Sequence, residues 1–232
     1  MRAVHLTGLS DYARVHALQE RLVEARRAGQ IDDVLLTLQH PPTITLGRAR
    51  GSAAHIVAPG DAPVVQVERG GDVTWHAPGQ LVGYPIVALA EGEQDLRAFL
   101  RAMEDGVVAL LAGLGVPSGR DDRNTGVWVD CADGERRKIC SLGVACRGWV
   151  TWHGLALNVD NELADFARIQ PCGFGAEVMT RLADHVEPCP GAEALVPLLR
   201  TALADRLGRP LSDLCEMSLE EAEQSLFGGK EA

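Results

Sequence analysis

Four short segments hold most of the residues that could do chemistry. The first is Arg69-Gly70-Gly71-Asp72-Val73-Thr74-Trp75-His76-Ala77-Pro78-Gly79-Gln80. A glycine pair lets a backbone approach a ligand closely, although a tight hairpin uses the same residues. The segment matches neither a Walker A loop nor a dinucleotide fingerprint, so nucleotide binding is not indicated. The second is Arg137-Lys138-Ile139-Cys140-Ser141-Leu142-Gly143, where strand alternation would put Lys138 and Cys140 on one face. The third is Thr151-Trp152-His153-Gly154-Leu155-Ala156-Leu157-Asn158. Val-Thr-Trp-His occurs at 73–76 and again at 150–153, and either histidine would also serve as a satisfied core residue. The fourth is Gln170-Pro171-Cys172-Gly173-Phe174, in which a proline and a glycine flank a cysteine and can present its thiol at a turn.

Six cysteines occur, at 131, 140, 146, 172, 189 and 215. There is no C-x-x-C and no zinc-finger spacing, so all six read as reduced thiols, mostly small buried groups. Only Cys172 has a setting suited to a nucleophile. Attack by cysteine needs a thiolate, hence a base or cation nearby. His76, His153 and Lys138 are the available partners, and the residues alone do not choose among them. The basic residues carry one further signal. Of 22 Lys and Arg, 20 are arginine, and Lys230 lies in a polar tail. Lys138 is therefore the one lysine in the body of the chain, directly after two arginines. Lysine can lose its proton when buried, and arginine cannot; chance composition is the alternative.

The elements that must position these groups follow from periodicity. A helix is expected over 11–28, capped by Ser10, with Tyr12, Val15, Leu18, Leu22 and Ala25 on one face and Gly29 closing it. Further helices are expected over 95–114, 161–169, 192–207 and, peripherally, 219–227. Strands are expected at 4–6, 34–38, 44–46, 64–68, 73–76, 81–87, 127–129, 139–146 and 150–159, with a long loop over 47–63. Strands and helices intermix without regular βαβ alternation. That predicts one α+β domain with a mixed, largely antiparallel sheet flanked by helices.

Composition sets outer limits. With 232 residues, 46% hydrophobic and 23% charged, the chain suits one sizeable globular core. A net charge of −10 argues against general binding to nucleic acid or anionic membranes. No apolar stretch approaches the roughly 20 residues that span a bilayer. The N-terminus lacks the apolar core of a signal peptide, so a cytoplasmic protein is expected.

Taken together, the four segments resemble the lipoyl(octanoyl) transferase family over roughly residues 4–207. The match runs through 69–85, through Lys138-Ile139 with Ser141-Leu142-Gly143, through His153-Gly154-Leu155-Ala156-Leu157-Asn158, and through Arg168-Ile169 with Pro171-Cys172-Gly173. Ala77 stands where the family usually has glycine, and Trp75 where it often has tyrosine. The resemblance implies a fold shared with biotin and lipoate protein ligases, with the catalytic domain over 1–209 and an acidic, peripheral extension over 210–232. It implies a catalytic dyad of Cys172 and Lys138. Arg69, Gly70, Gly71, Asp72, Val73, Thr74, Trp75, His76, Ser141, Leu142, Gly143, Gly154, Leu155 and Ala156 would contact substrate. It also implies octanoyl-acyl carrier protein as donor, and as acceptors the lipoyl domains of 2-oxoacid dehydrogenases and the glycine cleavage H protein. No cofactor or metal is expected. Arg48, Arg50, Arg120, Arg123, Arg136, Arg137 and Arg147 could form a basic rim for acidic partners, or could be scattered charges. The alternatives are an ATP-dependent ligase of the same fold, a cysteine thioesterase and a non-catalytic binding module; the Pro-Cys-Gly setting counts against the first.

Overall fold

The apolar runs at 34–38, 81–87 and 150–157 are too continuous for a sheet with one wet face, and they call for cover on both sides. The computed structural model, which describes residues 1–170 and 174–227, has that arrangement. In chain order the elements are β1 (Arg2–Leu9), α1 (Tyr12–Arg27), β2 (Val34–Gln39), β3 (Thr43–Leu46), β4 (Val64–Gln66), β5 (Val73–His76), β6 (Gln80–Ile86), α2 (Leu96–Gly113), β7 (Ser118–Asp121), β8 (Asn124–Asp130), β9 (Arg136–Arg147), β10 (Val150–Asn158), α3 (Ala192–Leu207), β11 (Leu214–Met217) and α4 (Leu219–Ser225).

Eight strands form one sheet in the order β11-β1-β2-β6-β10-β9-β8-β7. Strands β11, β1 and β2 are parallel, and every other neighbouring pair is antiparallel. A second sheet, β4-β3-β5, pairs β3 in parallel with β4 and antiparallel with β5. The mixed α+β architecture is as expected from the sequence, divided between two sheets.

Helices α2 and α3 cover one face of the large sheet. Phe99, Met103, Val107, Leu195, Leu199 and Leu203 join Leu35, Leu81, Leu155 and Leu157 there. Helix α1 covers the other face, where Val15, Leu18 and Leu22 meet Val4, Leu36, Leu38, Val82 and Trp152, with Leu219, Ala222 and Leu226 of the C-terminal segment alongside. A third cluster underlies the small sheet and includes Ile44, Val73, Trp75, Phe166 and Met179. Each fully buried apolar side chain contributes roughly 1.5–3 kcal/mol, so packing holds these helices more than propensity does.

Three local features differ from expectation. The N-cap of α1 is Asp11, whose carboxylate accepts the Arg14 backbone N–H at 2.9 Å. Ser10 is still part of the strand pairing, because its N–H donates to Gln39 O at 2.9 Å. Strands β7 and β11 were not expected; β11 extends the sheet edge beside β1. Residues 163–168 form a 3₁₀ turn and not a regular α-helix. Among the described residues no helix is long and apolar enough to cross a membrane.

Candidate active site

Antiparallel pairing of β9 with β10 brings the second and third motifs side by side: Ser141 faces Ala156, Leu142 faces Leu155, and Gly143 faces Gly154. The first motif docks on the same strand, where Gly70 N–H donates to Val144 O at 3.0 Å. Gly143 permits this approach, because a Cβ there would lie 2.9 Å from Gly70 O. The three motifs enclose a cavity of about 220 Å³. Every substrate-site residue expected from the sequence lines it except Trp75. Val73, Thr74 and His76 of β5 line the cavity, whereas Trp75 is buried in the third cluster with the Arg168 guanidinium 5.6 Å from its ring centroid.

Lys138 is 8% exposed and lines the cavity. Its Nζ donates to Asn124 Oδ1 at 2.7 Å and lies 5.5 Å from the Trp128 ring centroid. Gly126 makes room for the lysine stem. It has φ +143°, and a Cβ there would lie 2.3 Å from Lys138 Cε and 2.6 Å from Cys140 O. The Gly126 N–H donates to Glu104 Oε1 at 2.9 Å, and Glu104 is paired with Arg120 at 2.7 Å, so a buried carboxylate anchors this strand. Cys140 does not line the cavity. It is fully buried in the first core cluster, and burial pushes its thiol well above the ordinary range. Cys172, the expected nucleophile, lies outside the described residues.

Four ring side chains, Tyr12, His76, Tyr84 and His153, complete the wall. His76 stacks 5.5 Å from Tyr12 and lies 5.4 Å from His40; His40 reaches Ser10 O at 2.7 Å and the Tyr84 hydroxyl at 2.9 Å. Burial lowers His40 to about 4 and His153 to about 3, and takes His76 well below 6.5, so all three imidazoles are neutral at ordinary pH. Burial raises Tyr12 to about 12. The three candidate bases are not together. His153 pairs with Val144, six residues along β9 from Lys138, a backbone separation of about 20 Å.

Other motif residues serve as ties. Gln80 Nε2 donates to Trp75 O at 3.0 Å and to Asn158 Oδ1 at 2.9 Å, and Asn158 Nδ2 donates to Thr180 O at 3.0 Å. Arg69 donates to Thr45 O at 3.1 Å and Thr45 Oγ1 at 2.8 Å, fixing the glycine loop to β3. Of the seven arginines considered for a basic rim, Arg120, Arg123, Arg136, Arg137 and Arg147 have carboxylate partners. Their charge is largely balanced within the chain.

Residues 11–204 match the family model described as the lipoyl protein ligase A/B catalytic domain. The chain is 41% identical over 211 residues to an octanoyltransferase of Chromohalobacter salexigens, covering 91% of this chain and 93% of that one. It is 47% identical over 181 residues to an octanoyltransferase of Geobacter sulfurreducens, covering 78% and 74%. Among solved structures, a bi-partite lipoate protein ligase from Thermoplasma acidophilum superposes with a TM-score of 0.70 at 15% identity, covering 97% of this chain and 91% of that one. That likeness is one of fold.

Proposed function

The chain belongs to the octanoyltransferase family, and on that footing we propose that it moves an octanoyl group from a carrier-protein thioester to a lysine of a lipoyl domain. The observation that supports this reading best is Lys138, held by Asn124 in the wall of a cavity lined mainly by glycine-rich backbone, apolar side chains and neutral rings, with Arg69 and Asp72 at its glycine loop. Such a wall suits an uncharged acyl chain, with one strong base beside it.

In the proposed sequence, the Cys172 thiol gives its proton to Lys138, and the thiolate attacks the thioester carbonyl. The carbonyl–sulfur bond of the donor breaks, and the pantetheine thiolate leaves with the proton from Lys138. The product is an octanoyl thioester on Cys172. The acceptor lysine, deprotonated by Lys138, attacks that carbonyl, an amide forms, and the Cys172 thiolate leaves. Backbone N–H groups near the dyad would hold the oxyanion in both steps. Thioester exchange is nearly balanced and amide formation from a thioester is downhill, so no ATP is required. The donor is octanoyl-acyl carrier protein. The acceptors are lipoyl domains of 2-oxoacid dehydrogenases and the glycine cleavage H protein, and the reaction takes place in the cytoplasm. Arg69, Gly70, Gly71, Asp72, Val73, Thr74, His76, Ser141, Leu142, Gly143, Gly154, Leu155 and Ala156 shape the acyl and pantetheine site.

The test mixes the protein with octanoyl-acyl carrier protein and an apo lipoyl domain, without ATP. Intact mass spectrometry should show one octanoyl group on the acceptor. Release of free octanoate without acceptor modification, or modification only from free octanoate plus ATP, would contradict the proposal.

A further inference from the structure

Three side chains remote from the lysine converge from separate elements. His16 of α1, Glu68 just beyond β4 and His153 of β10 each bring one ligand atom within 4.8 Å of the others. Glu68 Oε2 lies 2.9 Å from His16 Nε2 and 3.6 Å from His153 Nε2. Ligands bound to four-coordinate zinc at about 2.0–2.2 Å sit roughly 3.3 Å apart, a value that the two separations from Glu68 bracket.

His153 is the member that an ordinary packing role explains least. It is a non-glycine residue at φ +56°, is 1% exposed, and among the described residues neither ring nitrogen has a hydrogen-bond partner. A positive φ at a bulky residue is costly and persists where the surroundings hold it. Here Gln19 Oε1 accepts the His153 backbone N–H at 2.8 Å and helps hold this conformation within β10. His16 has a carboxylate behind it: Glu20 Oε2 is 4.0 Å from His16 Nδ1, one helical turn along. A carboxylate on the far nitrogen is the usual support for a metal-bound imidazole. His16 and Glu68 are partly exposed, which leaves an ion a way in.

We propose that His16, Glu68 and His153 form a binding site for a first-row divalent cation of the zinc class. The ligands are two imidazole nitrogens and one carboxylate oxygen, and a fourth position is left for water or a group in the cavity whose wall His153 shares. Binding replaces the His16–Glu68 hydrogen bond. The proton of His16 moves to Nδ1, towards Glu20, so that Nε2 can coordinate. The octanoyl transfer proposed above does not use this site, and either proposal can fail without the other.

The test titrates the metal-free full-length protein with Co²⁺ and follows visible d–d absorption, then displaces the cobalt with Zn²⁺. One cobalt per chain with the bands of a four-coordinate site is expected. His16→Ala and Glu68→Gln should each weaken binding by more than about 100-fold, and Glu20→Gln by about 10-fold. Circular dichroism establishes that each variant is folded, and Glu20→Gln keeps the test decisive if a ligand variant is not. No cobalt bound by the wild type, thiolate charge-transfer bands in its spectrum, or binding unchanged in these variants would overturn the site.

Discussion

The two flanks of the cavity carry different polar groups in different settings. On one flank Lys138 is held by a neutral amide oxygen, that of Asn124, which directs the amine. On the other, His76 and His153 are packed among aromatic rings, and the loss of water keeps them neutral down to acidic pH. An imidazole lowered to about 3 is a poor base for a thiol. A lysine amine that has lost its proton is a far stronger one. On the proposed reading, the comparison favours Lys138 over the two histidines as the partner of Cys172. The histidine flank builds and lines the site, and the lysine flank is where protons are expected to move.

The largest effect that would break this contrast is on transfer rate. Lys138→Ala should lower transfer by about 10²–10⁴-fold, and His153→Gln by much less, in initial rates with the same donor and acceptor. Equal losses would remove the distinction.

The next effect is on stability against pH and concerns His40, which supports the histidine flank. Its folded pKa is about 4, below the ordinary 6.5, so the native state favours the neutral ring. The resulting stability is fully present above pH 6.5 and is lost as pH falls from 6.5 towards 4. The loss should be roughly 3 kcal/mol. Urea unfolding across that window should show the slope, and His40→Gln should flatten it.

A smaller change tests the lysine flank. Gly126→Ala puts a Cβ against Lys138 Cε and Cys140 O at a backbone conformation that favours glycine. It should cost about 1–3 kcal/mol in denaturant unfolding and lower transfer, because the lysine stem must move. The smallest effect concerns the apolar wall between the flanks. Each methylene removed from the acyl donor should reduce kcat/KM roughly fourfold, the value of one buried CH₂. A flat dependence on length would mean that the chain is not held in this cavity.

Lys138 was legible because a chain that uses arginine for 20 of its 22 basic residues makes a lone lysine conspicuous. The glycine motifs were legible because tight docking of β9, β10 and the first loop leaves no room for side chains. Tyr12 and Tyr84 were missed as cavity residues because each sits in a core periodicity and reads as packing. The available signal was that the chain has only two tyrosines, and both line the cavity. Asn124 and Gly126 were missed because their roles depend on the pairing of β8 with β9, which brings them to the Lys138 side chain. Trp75 was grouped with its motif, although its large apolar ring suits the third core cluster in which it is buried. Strands β7 and β11 were invisible because they are short edges, with little alternation of their own, recruited by β8 and β1.

The most direct test of the central claim is a single-turnover chase of the acyl group in Lys138→Arg. An arginine keeps the positive charge that favours a thiolate but cannot exchange protons at neutral pH. Wild type and variant are exposed to octanoyl-acyl carrier protein, then to an apo lipoyl domain, and peptides are mapped by mass spectrometry. A thermal melt confirms that the variant is folded. The account predicts an octanoyl adduct on Cys172 in both proteins, cleared by the acceptor in wild type and persistent in the variant. An adduct on any other residue, or transfer from the variant at the wild-type rate, would contradict it.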